Sequence, residues 1–301
     1  MEELHAFFQP ERQFAGDTLW SFGTSLKSAY VNSFEFLNQA PAVQLWRDGD
    51  GVIQAVSRIM LADGAWFHLA APGFRGRDVF RAILEQADAA MQLLSAQPSW
   101  RTVAYASDTA SAESLKKAGY VPAGRDEVYM TRSLHAAVPA LPAPTGCTIR
   151  ILDRNDPAEV FERGDAQTDA FLEDQRRTEV AAWMTRSLPH QLGYGRPQRD
   201  PHVIAIEASG TVLAFADLCF DRENKIGEFE PVGTRPEQQR RGLAKAVLTR
   251  GLQLMQESGM LHAVVRTDAN NAAAIAAYES VGFETTDHLM SYRKERSNAA
   301  C

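Results

Sequence analysis

Gln239-Arg240-Arg241-Gly242-Leu243-Ala244 sits between two segments of different periodicity. Before it, Glu228-Phe229-Glu230-Pro231-Val232-Gly233-Thr234 reads as a strand. After it, Leu243, Val247, Leu248, Leu252 and Met255 recur at helical spacing as far as Gly259, a C-terminal cap. A loop of small residues thus runs from a strand into a helix. At such a junction unpaired backbone N–H groups and the positive end of the helix dipole face the same point. A pyrophosphate is the natural guest. Gly242 and Ala244 let the backbone come close, while Arg240, Arg241 and Lys245 add local positive charge. The hexamer alone is equally compatible with a solvated basic helix start.

The flanking sequence supplies a fold. His202 to Ala208 and Thr211 to Phe220 alternate apolar and polar residues across Ser209-Gly210, a β-hairpin ahead of the strand. Beyond Gly259 come a strand from Leu261 to Thr267, a polar helix start at Asp268-Ala269-Asn270-Asn271, an Ala-rich helix to Ser280 and a strand near His288 to Arg293. Antiparallel hairpins feeding strand–helix–strand–helix imply an α/β protein with a mixed sheet. Upstream, Cys147 to Leu152 reads as a first strand, followed by a turn and helix start at Asp153 to Asp156.

Between Leu134 and Gly146, Pro139, Pro142 and Pro144 favour an extended linker over packed structure. The expected division is a domain over 1–134, a Pro/Ala-rich linker over 135–146 and a second domain over 147–301. Two domains suit a chain of 301 residues. The halves also resemble each other. Ala71-Pro72-Gly73 through Phe80 aligns with Arg235-Pro236-Glu237 through Ala244, and Ser107-Asp108 through Gly119-Tyr120 aligns with Asn270-Asn271 through Gly282-Phe283. Both alignments share an offset of about 164 residues, the signature of a diverged duplication.

Composition excludes several classes. A net charge of −7 leaves no global attraction for nucleic acid or anionic lipid. Cys147, Cys219 and Cys301 form no CxxC pair, so neither a disulfide framework nor a zinc knuckle is readable and a reducing cytoplasm is expected. Met1-Glu2-Glu3-Leu4-His5 has the wrong charge for a signal peptide, and no stretch approaches the roughly 18 apolar residues of a membrane span. The histidines lack any ligand spacing, so no metal site is expected. Gly193-Tyr194-Gly195 lacks the third glycine of a dinucleotide fingerprint, since position 198 is Gln198.

The hexamer, its preceding strand and the later Asn271-x-x-Ala274-x-x-x-Tyr278-x-x-x-Gly282-Phe283 together resemble the GNAT superfamily of acyl-CoA-dependent N-acetyltransferases. The resemblance spans most of residues 200 to 293, and the duplication resembles the tandem members of that superfamily. It implies two GNAT-like folds, with acetyl-CoA as co-substrate in the second. Gln239, Arg240, Arg241, Gly242, Leu243 and Ala244 match the loop that binds pyrophosphate, with Lys245 following. Val232, Gly233 and Thr234 match the strand that pairs with the pantetheine arm, and Asn271 and Ala274 lie in the second cofactor motif. Pro231 suits a strand that leaves its neighbour, or an ordinary edge strand. Tyr278 matches the tyrosine near the acetyl sulfur, where a phenol can protonate the departing thiolate; it could equally be a core aromatic.

Acetyl transfer to a primary amine requires the amine neutral, and a carboxylate can take its proton. Glu228 and Glu230 share one face of the strand by its period of two. Glu228 matches the general-base position of histone-type members, Glu230 lies nearer the thioester, and either could be a solvated strand carboxylate. The implied acceptor is an amine of a small molecule or a peptide, attacked directly in a ternary complex. The alternative is a non-catalytic acyl-CoA-binding or regulatory tandem protein. The sequence names neither the amine nor an oligomeric state.

The first half departs from the pattern at Asp78, Phe80 and Leu115, which stand in place of Gly242, Ala244 and Tyr278. A carboxylate repels pyrophosphate, a phenyl ring fills its space, and leucine offers no proton, so this half is expected to have lost its cofactor site. Trp183 to Pro197 could cover the acceptor or form an irregular surface connection. Phe7, Phe8, Trp20, Tyr30, Phe34 and Phe36 read as core residues.

Overall fold

The computed structural model describes residues 42–47, 49–51, 53–60, 64–70, 78–171, 200–222 and 224–297. The six amino-terminal aromatic residues, loop 71–77 and the segment 183–197 lie outside the described residues. The amino-terminal half runs β1 (Ala42–Arg47), β2 (Ile53–Met60), β3 (Ala65–Ala70), α1 (Asp78–Leu94), β4 (Ser99–Tyr105), α2 (Thr109–Lys117) and β5 (Val121–Ser133). The carboxy-terminal half opens with β6 (Thr148–Ile151) and α3 (Pro157–Phe171). It then repeats the same order: β7 (His202–Ile206), β8 (Val212–Asp221), β9 (Ile226–Thr234), α4 (Leu243–Glu257), β10 (His262–Asp268), α5 (Ala272–Glu279) and β11 (Glu284–Glu295).

The repeat extends to single hydrogen bonds. Asp108 caps α2 by accepting from Ser111 N, and Asn271 caps α5 by accepting from Ala274 N, with nearly identical cap dihedrals. Both helices close on a glycine with positive φ, Gly119 and Gly282, a conformation that costs glycine no Cβ clash. After it, Tyr120 N donates to Leu115 O and Phe283 N donates to Tyr278 O.

One mixed sheet carries eleven strands in the order β1-β2-β3-β4-β11-β5-β10-β9-β8-β7-β6. Each half lends its last strand to the other: β11 pairs antiparallel with β4, and β5 pairs antiparallel with β10. The two lent strands pair with each other at the centre. Side chains fasten the exchange. Lys294 of β11 is ion-paired with Asp88 of α1, and Arg132 of β5 donates to Val281 O after α5.

The segment after β5 follows the expected extended path, and residues 139–146 are mostly exposed. It is anchored where it leaves β5: Leu134 and Val138 are buried in the carboxy-terminal core, and Gln256 of α4 donates to Leu134 O and Ala136 O and accepts from Val138 N. β11 is also longer than its apolar pattern indicates, because polar Glu284 to Asp287 still pair with β5.

Helices α4 and α5 share one core with the sheet, while α3 covers the opposite face through Ala166 and the Phe215 region. Phe229 belongs to the first core, so Glu228 and Glu230 lie toward the other face. The α4 contact is tight: a Cβ at Gly251 would lie 2.4 Å from Phe229 Cε1. Gly251→Val is therefore expected to cost about 1–3 kcal/mol through overpacking. The loss should appear as a lower thermal midpoint, partly recovered by adding Phe229→Leu.

Candidate functional site

The loop before α4 is shaped by local backbone geometry. A short 3-10 turn at Pro236–Gln238 is followed by extended Gln239, then Arg240 at φ +60° and Gly242 at φ +81°. Gly242 is the N-cap of α4 and provides no side-chain cap, so the first-turn amides stay uncovered by their own helix. A Cβ built on Gly242 meets nothing within 4 Å. The N-terminus of α4 therefore opens onto space bordered by the exposed Gln239, Arg240 and Lys245. Leu243 is buried in the core and anchors the first turn. Arg241 instead braces the loop, bonding Gln238 and donating to Thr145 O at 3.3 Å.

The same opening continues between two strands. β9 and β10 run parallel and pair at His262↔Ile226, Ala263↔Gly227 and Val264↔Glu228. Beyond that point β10 stays with β5 as far as Asp268, and β9 stays with β8 as far as Thr234. The two strands thus part at Glu228. Val232, Gly233 and Thr234 lie on the diverging arm of β9, with Gly233 held to glycine by Phe215, whose Cζ would lie 2.4 Å from a Cβ. The β8–β9 register shifts between Ala216 and Leu218, around the Glu230-Pro231 peptide, which is cis.

At the point of parting, Glu228 is only 2% exposed. Around it, on the same face, stand Arg266 of β10, Tyr129 of β5 and Tyr105 at the end of β4. Arg266 Nη1 lies 3.1 Å from Glu127 Oε2, and Tyr105 and Tyr129 meet edge to face at 5.8 Å. Burial opposes the charge of Arg266, but Glu127, Tyr105, Glu228 and Glu230 together raise its pKa, so it stays a cation. The Tyr129 hydroxyl is buried with no hydrogen-bond partner among the described residues.

Tyr278 of α5 faces this region from the other core, buried against Phe283 at 6.0 Å. Burial, reinforced by the charge of Glu230, pushes the phenol well above its usual range, which keeps it protonated. The charge of Glu230 thus reaches Tyr278, whereas Glu228 lies on the face of β9 turned away from the Phe229 core that holds Tyr278. Asn271 and Ala274 open α5, where the Asn271 side-chain oxygen is engaged with Ala274 N at 3.0 Å. Sequence reasoning missed Arg266, Glu127, Tyr105 and Tyr129. A lone arginine two residues beyond Val264 in an otherwise apolar strand was the available signal. It also missed the buried Arg163–Asp217 pair, two hydrogen bonds at 3.1 and 2.7 Å that tie α3 to β8 opposite the Glu230-Pro231 irregularity.

In the amino-terminal half two of the equivalent positions lie in the core. Phe80 is fully buried and its ring meets His68 edge to face at 4.9 Å, while Leu115 is fully buried at the position equivalent to Tyr278. Among the described residues no group of three or more His, Cys, Asp or Glu side chains could hold a metal ion, and no helix is long and apolar enough to cross a membrane.

Residues 168–283 match the acetyltransferase (GNAT) family. The mycothiol acetyltransferase of Streptomyces coelicolor is 37% identical over 89 residues, covering 30% of this chain and 29% of that protein. That of Streptomyces scabiei is 31% identical over 168 residues, 55% of this chain and 52% of that protein. The chain thus aligns with about half or less of the length of these curated relatives. Among solved structures, a tandem GNAT protein from the clavulanic acid biosynthesis pathway superposes with a TM-score of 0.68 at 17% identity, covering 99% of this chain and 93% of that one. A GCN5-related N-acetyltransferase from Sphaerobacter thermophilus gives 0.60 at 20%, covering 90% and 85%. At those identities the likeness speaks for fold alone: the chain has the tandem GNAT fold, and within it residues 168–283 match the acetyltransferase (GNAT) family.

Proposed function

We propose that the carboxy-terminal half transfers an acetyl group from acetyl-CoA to a primary amine of a small molecule or peptide, by direct attack within a ternary complex. The observation that carries this reading is the parting of β9 from β10 beside an uncapped helix N-terminus, with two carboxylates and a protonated phenol around the gap. These residues fit the cofactor. The amides that open α4 suit pyrophosphate oxygens, Arg240 and Lys245 add charge at its rim, and the Val232 to Thr234 arm offers a strand edge to the pantetheine amides. Bound there, acetyl-CoA supplies an acyl group activated as a thioester.

The residues of the chain then divide the proton work. Glu228, at the point of parting, takes the ammonium proton directly or through water, leaving a lone pair for attack. Tyr278 gives its proton to the departing thiolate sulfur, and Glu230 keeps that phenol protonated until then. No covalent enzyme intermediate is required. A protein of net charge −7 favours the encounter with a cationic acceptor. The cytoplasm, with its acetyl-CoA, is the compartment this reading fits.

Three measurements test the reading. Gly242→Asp places a carboxylate in the open space over the α4 amides, so calorimetric titration with acetyl-CoA should show binding abolished in a variant whose circular dichroism is unchanged; full affinity would remove the assignment. Tyr278→Phe should lower kcat while leaving the acetyl-CoA dissociation constant nearly unchanged, because the phenol acts as the thioester breaks.

Glu228→Gln should cost on the order of 100-fold to 10,000-fold near neutral pH, the usual worth of a general base. The deficit should shrink at high pH, where the amine arrives deprotonated. Glu230→Gln should cost less; the opposite ranking would exchange the two roles. Thiol release across an amine panel provides the assay, and binding without release from any amine would favour a non-catalytic acyl-CoA-binding protein.

A further inference from the structure

Past Glu228 the arm of β9 is no longer paired with β10, so its course depends on β8 along the other edge and on α3 across one face. The seat of α3 is close: a Cβ at Gly233 would lie 3.0 Å from Ala170 Cβ. Both supports converge on Arg235, the residue that joins the arm to the loop before α4. Its N–H donates to Leu213 O at 2.9 Å, and its carbonyl accepts from Gln238 N at 2.9 Å, so its main chain ties β8 to the turn that opens the loop. Its side chain is only 13% exposed, and every nitrogen of the guanidinium is engaged. Nε donates to Val212 O at 2.7 Å, Nη2 to Asp165 Oδ2 at 2.8 Å and Nη1 to Asp169 Oδ2, with Glu162 Oε2 3.5 Å from Nη2.

Glu162, Asp165 and Asp169 stand at i, i+3 and i+7 of α3, on one stripe of the helix. Three carboxylates so placed repel one another, and a planar fork of donors offsets that repulsion where the stripe meets the end of β9. Burial opposes the guanidinium charge, but the hydrogen bonds and charges of Asp165 and Asp169 outweigh it and raise the pKa, so Arg235 stays a cation. The other half offers a comparison. Where the halves align, Ala71 takes the place of Arg235, so the half that carries Asp78 and Phe80 in its loop also lacks this guanidinium.

The arm and the loop are the two places where the proposed function seats acetyl-CoA, pantetheine on one and pyrophosphate on the other. A ligand that must meet both gains affinity when they are fixed relative to each other, because the second contact then forms at a high effective concentration. We propose that Arg235, held by Asp165 and Asp169 of α3, is a positioning residue that sets the cofactor arm and the pyrophosphate loop at the spacing acetyl-CoA requires. It acts through the backbone on either side of it rather than by contact with the reacting atoms. This inference rests on the carboxy-terminal half as the acetyl-CoA site.

The test compares whole and divided ligands on the full chain. Calorimetry follows acetyl-CoA, while ligand-observed NMR follows S-acetylpantetheine and ADP as separate probes of arm and loop. Arg235→Gln should raise the acetyl-CoA dissociation constant on the order of 10-fold or more while each fragment keeps its affinity. The Michaelis constant for acetyl-CoA should rise in parallel, with kcat at saturation nearly unchanged. Arg235→Lys, a point charge without the fork, should recover only part of the loss. Asp165→Asn and Asp169→Asn should weaken acetyl-CoA in the same direction, and add little to Arg235→Gln because they break the same clamp. Unchanged acetyl-CoA affinity in Arg235→Gln, or in Asp165→Asn with Asp169→Asn should Arg235→Gln not fold, overturns the proposal. So does a loss that either fragment shares in full, which would mark damage to one contact rather than to their spacing. If a fragment binds too weakly to follow, the cycle between Arg235→Gln and Asp169→Asn decides, and additive losses overturn the proposal. A wild-type chain that binds neither acetyl-CoA nor ADP would instead overturn the cofactor reading itself.

Discussion

β10 can pair along both edges only as far as Val264, and the rest of the site depends on which neighbour it keeps. It stays with β5 through Asp268, while along its other edge β9 parts from it after Glu228. The gap this opens is as long as the diverging arm of β9, and the uncapped start of α4 lies at its far end. The arm of β9 is thus not paired with β10 along its inner edge, while β8 pairs along its other edge. The charge arrangement follows from the same geometry, since the strand that stays with β10 also delivers Glu127 to Arg266.

The parts of this arrangement that were legible in the sequence are local. The Gly242 loop, the hairpin across Gly210, the Asn271 cap and the Gly282 closure each depend on a few neighbouring residues whose backbone chemistry is fixed by type. The repeat was legible for the same reason, because Asp108 and Asn271 perform one capping task at equivalent positions. What stayed hidden is non-local. Arg266 and Glu127 are separated by 139 positions and meet only because β5 crosses to the other half. The anchoring of residues 134–138 by the distant Gln256, ahead of the exposed prolines, is non-local in the same way. Arg163 and Asp217 were silent for want of any pattern, one charge in a helix and one in an apolar strand.

The two halves illustrate how one backbone frame tolerates opposite uses. At the α4 start a left-handed glycine borders open space; in the first half Phe80, which stands in place of Ala244, is fully buried in the core. Leu115 and Tyr278 occupy the same point of the same closing turn, one an aliphatic side chain and the other an aromatic ring with a hydroxyl proton to give. The two halves thus differ in these side chains while keeping one sequence of elements.

The lending of terminal strands has a consequence for the history of such a chain. Deleting the first half would strip β10 of its antiparallel neighbour along its whole length, leaving a row of unpaired amides and carbonyls ready to adhere to any other strand. A silent half is therefore hard to shed by truncation: its removal would turn an orderly fold into a sticky one before any question of activity arose. Decay of the spare site and permanence of the spare domain are then two results of one architecture, which lets side chains drift while it holds the main chain captive.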